Sequence, residues 1–274
     1  MRVLLYVLMA QCVLFQPTRS DASTVIPFEY RDGFIWIKVD TLSRKEPLNF
    51  ILDSGASASV LDLAQARILG VALGQPEKVQ GVNGQALAYE VDNFRGNCCG
   101  VTLSTSLLAI DLKALSDCCH HSIDGILGAD FFRGRTVQIN FRAREVRLLK
   151  NCDFDLANCE KLPIKVCNGA FCVPVRVGHS PIQWVRLDTG CDSALEWVRK
   201  KEQRSLSTPA PTEPSHSSKQ FVTSDLQIGK HHYAVRTVLH AKPIFAGEAG
   251  LLGNGLLKKF CLTIDEPRGH VILN

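Results

Sequence analysis

Short runs in which apolar and polar side chains alternate dominate the chain, and helical periodicity is scarce. Phe34-Ile35-Trp36-Ile37-Lys38-Val39, Val173-Pro174-Val175-Arg176-Val177 and Ala234-Val235-Arg236-Thr237-Val238-Leu239 are bounded by Gly, Asp, Asn or His turns. A period of two turns one face to a core, so these runs are expected to be strands. Short helices are expected at Leu61 to Leu69, Asp130 to Arg133, Ala194 to Arg204 and Gly255 to Lys259. The predicted fold class is mainly β with a few short helices.

The apolar pattern also repeats over a longer distance. Phe50-Ile51-Leu52-Asp53-Ser54-Gly55 and Trp184-Val185-Arg186-Leu187-Asp188-Thr189-Gly190 each end an apolar run in the same acidic triplet, and the two acids are 135 residues apart. A second block, Asp124-Gly125-Ile126-Leu127-Gly128-Ala129-Asp130-Phe131-Phe132, stands 125 residues ahead of Ala249-Gly250-Leu251-Leu252-Gly253-Asn254-Gly255-Leu256-Leu257. At that offset Val137, Ile139, Val146 and Leu148 fall opposite Leu262, Ile264, Val271 and Leu273. Two copies, rather than three or more, point to a duplicated domain and not to a solenoid.

A lone Asp-Ser/Thr-Gly triplet is read first as a tight turn, because all three residue types favour turns. Two triplets, each with its own Gly block in register, are a far more specific signal. An apolar strand ending in this triplet, a downstream apolar-apolar-Gly block and a closing strand pair together resemble one lobe of an aspartic peptidase. The layout is pepsin-like in carrying both lobes on one chain. The small lobes and the Gly81-Val82-Asn83-Gly84 segment resemble the retropepsin group.

The resemblance implies two pseudo-symmetric β lobes with the active site in the cleft between them. The expected divisions are a signal peptide at 1–22, a first lobe at 24–150, a linker at 151–160 and a second lobe at 161–274. Asp53 and Asp188 would be the catalytic pair, supported by Ser54, Gly55, Thr189 and Gly190. Two carboxyls held together share a proton, because like charges at close range do not both ionise readily; aspartic proteases are the type case of this principle. One carboxyl can then act as base toward water and the other as acid toward the amide oxygen. A flap around Gly81 to Tyr89 would bring Val82, Asn83 and Gly84 to the substrate.

Pepsin-like enzymes place Ser or Thr directly after the Gly, where the hydroxyl bonds the carboxylate. Here Ala56 and Cys191 stand at those positions. Alanine there is the retropepsin habit, and Asp192 matches the acid that retropepsins use to bind substrate backbone. Ser57 holds the equivalent place in the first lobe, so Ser57 and Asp192 are expected to bind substrate. The missing hydroxyls should let the pair keep its proton to higher pH.

The function this implies is an aspartic endopeptidase acting on polypeptide without a cofactor. The competing reading is an inactive relative that binds peptide or glycan. Two lobes in one chain make a monomer sufficient for the site.

Charge and cysteines narrow the setting. The net charge of +4 is mild and spread out, which argues against nucleic-acid binding. Arg2 precedes an apolar stretch from Val3 to Phe15, with Thr18, Ser20 and Ala22 following, as in a secretory signal peptide. No later stretch is apolar enough to remain in a membrane, so the expected location is secreted, periplasmic or in the cell envelope. Beyond Cys12 stand Cys98, Cys99, Cys118, Cys119, Cys152, Cys159, Cys167, Cys172, Cys191 and Cys261, an even number that predicts disulfides in an oxidising compartment. Pairings open to them are Cys167 with Cys172, Cys191 with Cys261, Cys152 with Cys159, and the doublet Cys98-Cys99 with Cys118-Cys119. The run Cys118-Cys119-His120-His121 is set aside as a metal site, since four consecutive ligands do not converge easily on one ion. The Pro- and Ser-rich stretch Ser205 to Ser218 is expected to be a loop.

Overall fold

The computed structural model describes residues 24–81, 84–103, 106–150, 159–198 and 220–274. The segments 1–22 and 205–218, Val82, Asn83 and Cys152 lie outside the described residues.

The first half runs β1 (Thr24–Pro27), β2 (Glu29–Arg31), β3 (Phe34–Thr41), β4 (Leu48–Leu52) and β5 (Val60–Asp62) into helix α1 (Leu63–Leu69). It continues with β6 (Leu73–Gly81), β7 (Gly84–Val91), β8 (Gly96–Cys98), β9 (Val101–Thr102) and β10 (Leu107–Ile110), then α2 (Lys113–Cys119), β11 (Gly125–Leu127) and α3 (Ala129–Phe132). The paired strands β12 (Thr136–Asn140) and β13 (Glu145–Leu149) close it. The second half holds β14 (Glu160–Pro163), β15 (Lys165–Cys167), β16 (Ala170–Val177), β17 (Gln183–Asp188), β18 (Leu195–Val198), β19 (Gln220–Ile228) and β20 (His231–His240). Its last elements are β21 (Gly250–Gly253), α4 (Asn254–Leu257), β22 (Cys261–Asp265) and β23 (His270–Leu273).

The halves share a strand plan. In the first, β4 runs parallel to β11, β11 antiparallel to β5, β5 parallel to β10 and β10 antiparallel to β7. In the second, β17 runs parallel to β21, β21 antiparallel to β18, β18 parallel to β20 and β20 antiparallel to β19. A six-stranded sheet in the order β1-β13-β12-β22-β23-β14 joins them, with Thr136 opposite Asp265 and Asn140 opposite Cys261 at its centre. Its inward residues Val137, Ile139, Val146, Leu262, Ile264 and Val271 are all fully buried, which is why the repeat was visible in them. One apolar cluster spans both halves, and Phe132 of α3 meets Phe171 of β16 edge to face.

The local chemistry explains the short helices. Asp62 caps α1 by accepting from the backbone N–H groups of Ala64 and Gln65, and Gly70 ends it in the left-handed conformation. The helix expected at Ala194 to Arg204 is instead the strand β18 over its described part. Leu195, Glu196 and Trp197 are buried between β20 and β21, so both sheet faces are covered and helical spacing has nothing to act on. The helix α2 was not anticipated. Among the described residues no helix is long and apolar enough to cross a membrane.

Candidate active site

Asp53 follows β4 directly, and Asp188 is the last residue of β17. The neighbouring parallel strand supports each end: the Asp53 N–H donates to Leu127 O, and Asp188 lies beside Gly253. The Gly blocks sit here because side chains would collide. A Cβ on Gly128 would fall 2.4 Å from the backbone of Ala58, and one on Gly253 2.4 Å from Ser193 O. Past each block the backbone closes on the opposite side of its own acidic loop, with Ala129 N–H donating to Ala56 O and Asn254 N–H to Cys191 O, both at 2.8 Å.

The two triplets grip one another. Ser54 N–H donates to Thr189 Oγ1 (2.9 Å), and Thr189 Oγ1 donates to Leu52 O (2.8 Å). In return Thr189 N–H donates to Ser54 Oγ (3.2 Å), which donates to Leu187 O (2.8 Å). Ser54 and Thr189 are both fully buried. Gly55 and Gly190 make room for this approach: a Cβ on Gly55 would lie 2.4 Å from the Asp188 Cγ, and one on Gly190 2.3 Å from the Asp53 Cγ.

The carboxyls therefore face each other, close enough for each to influence the other's ionisation. Asp53 Oδ1 also accepts from the N–H groups of Gly55 (2.8 Å) and Ala56 (3.0 Å), whereas Asp188 Oδ1 accepts from Gly190 alone (2.9 Å). Burial is the largest influence on both and pushes both above the usual carboxylate range. Asp188 stands well above it, because the negative charge of Asp53 adds to the cost of ionising a buried acid. Asp53 is held lower than burial alone would put it by Asp188, by its two backbone donors and by Arg186. Two carboxyls this close do not both ionise readily, so the pair favours a single shared proton.

Sequence-based placement of the other residues met mixed outcomes. Ser57 and Asp192 occupy equivalent positions, but each lies against a hairpin turn of the opposite half. A Cβ on Gly33, in the β2–β3 turn, would lie 2.5 Å from Asp192 Cβ, and one on Gly169, in the β15–β16 turn, 2.7 Å from Ser57 Cβ. Both glycines have positive φ. β6 and β7 pair antiparallel over the span expected for a flap, and Gly84 enters β7 with φ of 120°; Val82 and Asn83 are beyond what is described.

No disulfide joins any pair among the described residues, so none of the staples expected between them is seen; Cys152 lies outside them. Cys167 and Cys172 do meet thiol to thiol across the hairpin. The Cys191 thiol turns to Glu196 Oε1 at 3.8 Å, while Cys261 faces Cys159 and Arg147 on the central sheet. Cys98 lies beside Cys99 and Asp40, whereas Cys119 lies beside Cys118, Asp32 and Asp192, so the two doublets are separate. Among the described residues no group of three or more His, Cys, Asp or Glu gathers for a metal ion, and His121 packs edge-on to Trp36.

Several site residues were missed from sequence. Ser59 Oγ donates to Asp130 and accepts from Gly128 N–H, bracing the first Gly block. Asn254 Nδ2 donates to Thr189 O and to Gly33 O, tying the second triplet to the first half. Arg186 and Glu248 form a buried ion pair beside the triplets. The signal for Arg186 was present, since it occupies the repeat position of buried Ile51.

Residues 38–131 match the family model described as aspartyl protease. Over that span the chain is similar to aspartyl proteases. No curated protein matches the chain. The family match contains Asp53, the β6–β7 hairpin and the first Gly block, and the triplet at Asp53 meets its counterpart at Asp188 from outside the matched span.

Proposed function

We propose that the protein is an aspartic endopeptidase that hydrolyses peptide bonds with a water molecule activated between Asp53 and Asp188. The observation that carries this is the pair itself: two carboxyls brought face to face by the triplets, each pushed above the usual carboxylate range. Asp53 takes the proton from the attacking water, and Asp188 gives its own to the scissile carbonyl oxygen. As the C–N bond breaks, Asp188 takes back a hydroxyl proton from the tetrahedral intermediate and Asp53 gives its proton to the leaving nitrogen, which returns the pair to its starting state. Ser54, Gly55, Thr189 and Gly190 keep the acids in contact. The substrate is an extended polypeptide lying in a cleft between lobes 24–150 and 161–274, covered by the flap that includes Val82, Asn83 and Gly84.

On this reading residues 1–22 are a cleaved signal and the enzyme works outside the cytoplasm as a monomer. The test is a mixed peptide library incubated with the protein, with and without pepstatin, and with Asp53→Asn and Asp188→Asn. Cleavage that pepstatin blocks and that both variants abolish is the expected result. Peptide binding without cleavage would favour the inactive binding module instead, and activity surviving in either variant would refute the paired-acid mechanism.

A further inference from the structure

We infer that Arg186 is a positioning residue for the hydrolysis proposed above: clamped by Glu248, its guanidinium holds the Gly55 carbonyl and with it the loop that carries Asp53. The inference rests on that reading of the acids but adds a residue to it.

The repeat makes Arg186 conspicuous. Its counterpart Ile51 sits at the same place on β4 and is buried among apolar side chains, including Trp36, Val60 and Ile123. Arg186 is just as buried, with 1% of its surface exposed. Burying an ion pair costs several kcal/mol in desolvation per ion, and apolar replacements of such pairs are often neutral or stabilising. Isoleucine meets the packing need in one half, so packing does not account for arginine in the other.

Each part of the guanidinium is engaged. Nε donates to Glu248 Oε2 at 2.8 Å and Nη2 to Glu248 Oε1 at 2.5 Å, a two-pronged pair that fixes the plane of the group. Phe245 stacks on its face at 3.6 Å. Asn168 Nδ2, from the β15–β16 turn that rests on Ser57, donates to Glu248 Oε1 at 2.8 Å and holds the acid in turn. The remaining arm, Nη1, crosses to the other half and donates to Gly55 O at 2.6 Å. The Gly55 carbonyl shares its peptide plane with the Ala56 N–H, which bonds Asp53 Oδ1 at 3.0 Å, so fixing that plane fixes the carboxylate as well.

The charge matters along with the geometry. The charged and titratable groups facing Arg186 are Glu248 ahead of β21, the Cys172 thiol opposite it on β16, and the two acids. Its positive charge opposes burial at both Asp53 and Asp188 and favours their ionised forms. Ala56 offers no hydroxyl to do this, and the Cys191 thiol is turned to Glu196. Arg186 takes over that influence from one step beneath the triplet.

The test compares the unmodified protein with Arg186→Lys and with Arg186→Leu/Glu248→Leu, which removes the pair without leaving a lone buried acid. Carboxyl carbon-13 NMR follows the titration of Asp53 and Asp188, assigned with the two Asn variants, and kcat and KM are measured against pH. In the double variant both titration steps should move to higher pH. Its kcat should fall on the order of a hundredfold, the size that a misplacement of about 1 Å produces. Arg186→Lys should keep the titration near that of the unmodified protein yet lose kcat, because an ammonium does not span Glu248 and Gly55 O together. Should the double variant not fold, an unchanged kcat in Arg186→Lys still overturns the inference. It is also overturned if the double variant titrates and cleaves as the unmodified protein does. The titration needs no substrate: if no protein of the set cleaves peptide but the steps move as described, the hold of Arg186 on the acids stands and the hydrolase reading alone fails.

Discussion

Thr189→Val removes one hydroxyl from the junction of the two triplets while keeping the shape of the side chain. In the native protein that hydroxyl accepts from the buried N–H of Ser54 and donates to Leu52 O, at 2.9 and 2.8 Å. The substitution leaves the Ser54 N–H without its acceptor, which costs about 1–3 kcal/mol for a buried donor, and forfeits a further bond worth about 1 kcal/mol. The sum, roughly 2–4 kcal/mol, is a large share of the 5–15 kcal/mol or so that a typical protein has in reserve. At about 2–4 °C per kcal/mol for a chain of this size, the melting temperature should drop by roughly 5–15 °C. Thr189→Ser keeps the hydroxyl and should lose much less.

Urea unfolding followed by fluorescence reads both halves, since Trp36 lies in the first and Trp184 and Trp197 in the second. The midpoint should fall with the slope unchanged. Ser54→Ala is the mirror perturbation, breaking the bond to Leu187 O and stranding the Thr189 N–H. Because either loss lets the triplets draw apart, the double variant should be less destabilised than the sum of the two, by about 0.5–3 kcal/mol. A Thr189→Val protein with an unshifted midpoint, or a double variant that is simply additive, would refute the claim that these bonds hold the acids together.

Three further outcomes follow from the site. Ala56→Ser adds a donor near Asp53, so it should lower the proton affinity of the pair and move the upper pH limb of peptide cleavage downward; an unmoved limb contradicts the electrostatic account. Asp188→Asn should raise stability at neutral pH, because an acid whose folded pKa is raised destabilises the fold as pH climbs from its unfolded value, about 3.9, through the folded one. The gain should vanish below that unfolded value, and thermal melts across pH would expose a gain that persists there. Mild oxidation should join Cys167 to Cys172 before any other pair, since their thiols already touch, and peptide mapping that finds a different first disulfide would overturn this.

What was legible in the chain was whatever the fold requires to be contiguous. The triplets and Gly blocks stand out because a strand end, a hydroxyl and a residue without a side chain must follow in order for two backbones to approach. The closing strands stand out because their inward residues repeat with the sheet. The surroundings of other residues depend on partners remote in sequence. Asp192 and Ser57 look alike in the two halves, yet what they face is set by Gly33 and Gly169 in hairpins of the other half. Cysteine parity suggested pairing, but a count carries no direction, and Cys191 and Cys261 lie on different sheets' ends with different neighbours. The apolar stretch at Leu195 to Val198 reads as helix or strand by spacing alone; its neighbours β20 and β21 decide for strand.

The same duplicated backbone also explains how the two acids come to differ. A perfectly repeated pair would divide the proton evenly, and neither acid would be assigned a role by its surroundings. Here the strand plan, the hydroxyl bonds and the Gly contacts are all kept, while the repeat breaks where Ile51 becomes Arg186 and where Ala56 becomes Cys191. The first break sends a cation across to the Gly55 carbonyl, on the Asp53 side. At the second, the Cys191 thiol faces away into the Glu196, Ser193 and His240 group, and Asp188 has a single backbone donor. The first favours the charged form of both acids, while Asp53 alone has a second backbone donor, from Ala56. The symmetric parts of the repeat bring the carboxyls together, and its exceptions give them different surroundings.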